Sequence, residues 1–496
     1  MEILYKSTRG GEENVPASKA VLKGLCDDGG LFVPQSIPHF DFELSDLISM
    51  DYRQTAFRVM RLLLTDYTDE ELTYCINKAY DEKFDDESIA PLVKKGDRYF
   101  LELFHGRTIA FKDMALSILP HLLTAAIKKN GIDKKVMILT ATSGDTGKAA
   151  LEGFCDVEGT AITVFYPENG VSEIQKLQMV TQKGDNTCVA AVKGNFDDCQ
   201  SGVKKIFNDK ALAKEMSEKG YMFSSANSIN IGRLIPQIVY YVYAYKKMLE
   251  SGKISEGEEI NFTVPTGNFG NILAGYYAKL MGLPVGKLIC ASNDNKVLYD
   301  FFETGTYDRN REFILTCSPS MDILVSSNLE RLIYMMTGSD TAKTKALMDS
   351  LAKKGSYAVS ADMKEGSKSF AGFYAAEDEA LSAIKDLYEK TGYVMDTHTA
   401  VAAACDLKYR ESTGDTKKSV VISTASPYKF APAVLRAITG KESGEDWQIT
   451  ADELFEISHV KLPPAITELK GAEIRHTTVC EKDEMVSVVK KRTGLS

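Results

Sequence analysis

The chain has 496 residues, 44% of them hydrophobic and 26% charged, and a net charge of −10. This is the balance of a globular protein, and its acidity argues against nucleic acid or an anionic membrane as the main partner. No apolar run approaches the roughly 20 residues of a membrane helix. The opening MEILYKSTRGGEENVPASKA lacks the apolar core of a signal peptide. Nine scattered cysteines with no CxxC read as reduced thiols of a cytoplasmic protein, and six histidines with no HExxH give no expectation of a metal site.

Residues 1–92 read as an N-terminal helical module. RQTAFRVMRLLL and DEELTYCINKAYDEKF carry helical spacing, and CDDGGLFVPQSIP is a Gly/Pro-punctuated loop. The remainder, 93–496, alternates short apolar runs with longer amphipathic segments. KKVMILT (134–140), TAITVFYP (160–167), TCVAAVKG (187–194), INFTVPT (260–266), KLICASN (287–293) and SVVISTA (419–425) each precede a helical pattern. Alternation of this kind predicts an α/β fold with parallel-type sheets flanked by helices. Ligands of such folds bind beyond the C-terminal strand ends, so the loops there are the informative ones.

Three such loops stand out. TATSGDTGKAA (140–150) leaves a strand and opens a helix, but lacks a P-loop's first glycine and the Ser or Thr after Lys148. Its hydroxyls and amides suit a carboxylate; plain turn chemistry is the competing reading. VPTGNFGNILAG (264–275) is not GxGxxG, and its spacing suits a cup of backbone N–H groups around one phosphate. The alternative is a turn with packing glycines. STASPYKFAPA (423–433) offers Ser423, Thr424 and Ser426 to a ring nitrogen or to a helix cap, with Lys429 read as solvated in the next turn. Ahead of a long helix, Arg233 in NSINIGRLIPQ fits either an anion or a structural salt bridge. His398 in DTHTAVA reads as structural, behind Asp396 or Thr397 as a cap.

Lys112, in FHGRTIAFKDMA, sits among Ile109, Ala110, Phe111, Met114, Ala115 and Leu116. Alone it reads as a lysine that snorkels. Together with a phosphate cup, a hydroxyl pocket and a hydroxyl-bearing strand end, it reads as the desolvated amine that pyridoxal phosphate requires.

At DDGGLFVP, FHGRTIAFKD, ATSGDTGKAA, NSINIGRLIPQ, PTGNFGNILAG, DTHTAVA and STASPYKF the sequence resembles the threonine synthases, pyridoxal-phosphate enzymes of the tryptophan synthase β-like fold (fold type II). The resemblance covers almost the whole chain. It implies a smaller lobe within about 110–225 and a larger lobe from the rest of 93–496. It implies that Lys112 holds the cofactor as an imine and serves as the catalytic base. Gly267, Asn268, Phe269 and Asn271 would bind the cofactor phosphate, and Thr424 the pyridine nitrogen. Thr142, Ser143, Gly144, Asp145 and Thr146 would hold the substrate carboxylate, with Arg107, Lys148, Arg233 and Lys429 as candidates for its phosphate. Two residues depart from the family pattern: Arg107 stands where proline is frequent, and Asn271 where aspartate is common.

The implied reaction turns O-phospho-L-homoserine and water into L-threonine and phosphate, by a monomer or homodimer. Rival readings are a related phospholyase or serine/threonine dehydratase giving a 2-oxo acid and ammonia, and a non-catalytic ligand-binding protein of the same fold.

Overall fold

The computed structural model describes every residue except Met1, Ser143, Gly170, Glu445 and Ser496, and the side chain of Asp197. Two sheets organise the body of the chain. One has five strands in the order Thr478–Glu481, Thr187–Lys193, Thr160–Pro167, Lys135–Ala141, Tyr221–Ser224, all parallel. The other has six, in the order Phe370–Tyr374, Val285–Ser292, Ile260–Pro265, Ser419–Ser423, Arg98–Glu102, Leu92–Lys95, parallel except for the terminal hairpin. Every residue of Thr160–Pro167 and Ile260–Pro265 is buried, as expected of parallel strands covered on both faces. The α/β expectation holds, and all six strands read from apolar runs are present.

The N-terminal module is less purely helical than its sequence suggested. Helices Tyr52–Met60 and Asp69–Ala79 form behind capping boxes at Asp51/Gln54 and Thr68/Glu71. Before them lies a small antiparallel sheet, with Leu4–Ser7 between Val15–Pro16 and Phe32–Pro34. Strands of two to four residues around a Gly-rich loop leave no usable alternation in the sequence.

The 20-residue helix Ile231–Glu250 is buried along nearly its whole length and ties the module to the body. The Tyr52 ring meets Tyr80 and Tyr243 edge-on, each at 5.0 Å between centroids. At the other end of the chain, the strand Thr478–Glu481 and the helix Met485–Thr493 return to the five-stranded sheet. The lobe division that the resemblance implies places them with the larger lobe. The side chains of Cys480, Met485 and Val489 instead complete the core around Met137, Phe165 and Val192.

Candidate active site

Local chemistry places Lys112. Both Asp113 carboxylate oxygens are taken by Thr108, one by its N–H at 2.7 Å and one by its hydroxyl at 2.6 Å. That clamp folds the segment back on itself. A Cβ on Gly106 would lie 2.5 Å from the Asp113 carboxylate, so only glycine fits there. The segment is then stitched to the Ser419–Ser423 strand end. Leu103 and Phe111 N–H donate to the Ser423 and Thr424 carbonyls at 3.0 and 2.8 Å, and Ser426 N–H donates to Ile109 at 3.0 Å.

Lys112 does not snorkel. Its side chain is 12% exposed, and its ammonium lies 3.5 Å from Asp145 Oδ2 and 3.4 Å from Ser320 Oγ. Burial lowers its pKa; Asp145 opposes that, while Lys429 and Arg233 reinforce it. Lys429, solvated if its loop only caps a helix and a phosphate candidate under the resemblance, is fully buried. Its ammonium contacts Asp145 Oδ1 at 3.1 Å and donates to the Thr108 carbonyl at 2.7 Å. Burial works to raise the Asp145 carboxyl, but Lys429 and Lys112 outweigh it and hold the group well below the usual carboxylate range.

Arg233 is also buried. It donates to the Ala226 carbonyl at 3.0 Å, has no carboxylate partner among the described residues, and leaves its Nε unpaired. Burial brings its pKa down to about 10.

The Gly267–Asn271 turn has the form of an anion cup. Phe269 is left-handed (φ 62°), and the helix Gly270–Leu280 starts just after it. No acceptor among the described residues takes the N–H of Gly267, Asn268, Phe269, Gly270 or Asn271. Asn271 is buried; its Oδ1 accepts from the hydroxyls of Tyr240 and Tyr241 at 2.6 and 2.7 Å, and its Nδ2 is unpaired. The Thr424 hydroxyl has no hydrogen-bond partner among the described residues. Its N–H donates to Thr399 Oγ1 at 3.3 Å.

The segments that build this site match known family models. Residues 4–80, 94–425 and 399–491 match the models for the threonine synthase N terminus, for pyridoxal-phosphate-dependent enzymes and for the threonine synthase C-terminal region. The chain belongs to the threonine synthase family. It is 38% identical to the threonine synthase of Pseudomonas aeruginosa, over 88% of this chain and 91% of that one. It is 39% identical to human threonine synthase-like 1 over 94% of its own length, and spans 64% of the length of that relative. The crystal structure of yeast threonine synthase superposes with a TM-score of 0.87 at 32% identity, covering 100% of this chain and 99% of that one.

The remaining site residues expected of a threonine synthase are placed unevenly. The Thr142 hydroxyl accepts from Gly144 and Gly147 N–H, both at 2.9 Å, so it shapes its own loop. The N–H groups of Asp145 and Thr146 have no acceptor among the described residues. Ser143 lies outside the described residues. Lys148 pairs with Glu152 at 2.9 Å and with Gln182, and Arg107 is 44% exposed, 3.6 Å from Glu468. These two cations stand apart from the Lys112–Asp145–Lys429 group.

Two residues of the site carry no sequence signal. Ser320 donates to Asp145 Oδ2 at 3.3 Å, and its N–H donates to His398 Nε2 at 3.1 Å. Gln175 donates to Asp145 Oδ1 at 2.9 Å. Both lie in segments with no motif of their own.

Proposed function

We propose that the chain is a pyridoxal-phosphate-dependent threonine synthase, converting O-phospho-L-homoserine and water to L-threonine and phosphate. One observation carries this reading. A desolvated lysine shares a buried site with Lys429 and Arg233, beside a cup of unused N–H donors, and Asp145 is the carboxylate that faces Lys112 and Lys429. Such a site favours anions in two places, as a phosphorylated cofactor and a phosphorylated substrate require.

The residues fit the cofactor. Unpaired buried donors at Asn271 Nδ2 and along Gly267–Asn271 suit its phosphate, and the free Thr424 hydroxyl suits its ring nitrogen. Asn271 in place of aspartate removes a negative charge from beside that phosphate. Bound there, pyridoxal phosphate supplies a carbonyl for Lys112 and a ring that withdraws electrons from the substrate α-carbon.

The chain's own residues divide the rest of the work. Burial depresses the Lys112 pKa, which favours the neutral amine that can take a proton from the α-carbon and return it. Thr424 is a neutral partner and does not enforce protonation of a ring nitrogen, so charge control rests more on the surrounding dipoles. Free N–H groups at Asp145 and Thr146 suit the substrate carboxylate. Arg233 and Lys429, both inside the site, are the preferred holders of the substrate phosphate over Lys148 and Arg107. Capture of phosphate by Lys429 exchanges its partner Asp145 for the substrate.

The test is a product assay on the purified protein with O-phospho-L-homoserine. Threonine and phosphate in equal amounts support the reading; 2-oxobutanoate with ammonia and phosphate would make the protein a phospholyase. Absence of turnover, with ligand still bound, would make it a binding protein. The parent protein is expected to absorb at the edge of the visible, and Lys112→Ala to lose that band.

A further inference from the structure

The cup at Gly267–Asn271 is held from behind by groups that none of the roles above uses. Arg331 is fully buried and has no carboxylate partner among the described residues. Its guanidinium spends its donors on three separate segments. Nε donates to the Phe32 carbonyl at 2.9 Å, Nη2 to the Ile229 carbonyl at 2.7 Å, and Nη1 to Asn328 Oδ1.

A guanidinium only donates, so the amide oxygen of Asn328 must face it and the amide NH2 must face the other way. That NH2 donates to the Asn268 carbonyl at 3.0 Å, and the backbone N–H of Asn328 donates to the same oxygen at 3.0 Å. One step along, the Ser326 hydroxyl donates to the Gly267 carbonyl at 2.7 Å. Peptide units are planar and trans, so a pinned carbonyl fixes the N–H of the next residue on the opposite face. Holding the Gly267 and Asn268 carbonyls outward therefore turns the Asn268 and Phe269 N–H groups away from Asn328, free for a ligand.

The neighbouring residue makes a parallel link. Glu330 accepts from the Thr8 hydroxyl at 2.6 Å and from Arg9 through two bonds of 2.8 and 2.7 Å. Two adjacent side chains thus join the N-terminal module to the residue that orients the cup.

We propose that Arg331 is a positioning residue for the cofactor phosphate: it locks the Asn328 amide, which aims the Asn268–Phe269 N–H groups, and so makes the N-terminal module part of the cofactor site. This rests on the reading of the cup as the phosphate site of pyridoxal phosphate.

The decisive variant is Asn328→Asp, made in the full chain. It keeps an acceptor for Arg331, yet removes the donor to Asn268 and sets a carboxylate oxygen against a carbonyl. Apoprotein of parent and variant is titrated with pyridoxal phosphate by absorbance, the phosphorus NMR signal of the bound cofactor is recorded, and thermal midpoints are compared. The expected result is half-saturation raised about ten-fold or more, the scale of one buried hydrogen bond lost. The phosphorus signal is also expected to shift, with the apoprotein midpoint close to that of the parent. Arg331→Met is expected to show the same binding defect and Arg331→Lys to recover part of it; should Arg331→Met fail to fold, Asn328→Asp still decides. A folded Asn328→Asp that binds within about two-fold of the parent, with an unmoved phosphorus signal, overturns the proposal alone. A parent that takes up no pyridoxal phosphate overturns the functional reading, and this proposal with it.

Discussion

His105 is expected to contribute stability that is lost as the pH rises through neutrality. Its ring contacts Asp85 Oδ1 at 2.6 Å and Glu102 Oε2 at 3.0 Å, and its side chain is 17% exposed. Burial opposes its protonation, but the two carboxylates prevail and lift its pKa from 6.5 to about 9. A folded-state pKa above the unfolded one contributes stability that is full below the unfolded value and lost as pH rises toward the folded value. The whole effect is about 3 kcal/mol, of which about 1.5 kcal/mol disappears between about pH 6.5 and about pH 8. Above that window the raised thiols add a slope of the same sign, since Cys155 and Cys480 are pushed to about 11 and Cys26 and Cys75 to about 12. The measurement is urea unfolding of the parent and of His105→Gln at both pH values. The variant keeps a polar side chain and drops the charge. The difference between the two proteins should shrink by about 1.5 kcal/mol from the lower pH to the higher. A difference independent of pH would refute the assignment.

Asp145→Asn leaves the buried Lys429 ammonium without its carboxylate, and should cost the apoprotein about 3–5 kcal/mol in denaturant unfolding; a loss below about 1 kcal/mol would mean the pair is not maintained in solution. The same carboxyl, held well below its ordinary value, contributes stability that is present above the unfolded pKa and lost as pH falls through the folded one, so the variant should also flatten the acid limb of the unfolding curve. Arg233→Met is expected to raise the substrate concentration at half-saturation by more than about ten-fold while changing cofactor uptake little. An unchanged substrate response would exclude Arg233 from phosphate binding. Gly267→Ala sets a Cβ 2.6 Å from the Ser320 carbonyl oxygen; the two loops must part, and cofactor titration should show weaker uptake, whereas parent-like binding would show that the cup tolerates the shift.

Much of this architecture is legible in the sequence, and what is not has physical reasons. Thr160–Pro167 is found at its full length because a strand buried on both faces needs an uninterrupted apolar run. Leu92–Lys95 and Thr478–Glu481 are missed because edge strands face water and carry charge, as LVKK and TVCE do. The same division runs through the site. The cup, the TSGDTG turn and Lys112 are contiguous stretches whose residue types announce backbone geometry. Lys429 is harder to place: a lysine in the first turn after a strand is ordinarily solvated, and only the resemblance makes it a candidate for the substrate phosphate. What buries it is Asp145 and the Thr108 carbonyl, brought together from two other strand-end loops. Ser320 and Gln175 have no motif for the same reason, since each acquires a role only by meeting Asp145. Arg107 shows the converse. Its position beside Lys112 makes it a candidate, yet the clamp of Thr108 on Asp113 reverses the chain between them and leaves its guanidinium 44% exposed, toward Glu468. Sequence proximity therefore carries the backbone-made parts of this site, and tertiary pairing decides which cations enter it.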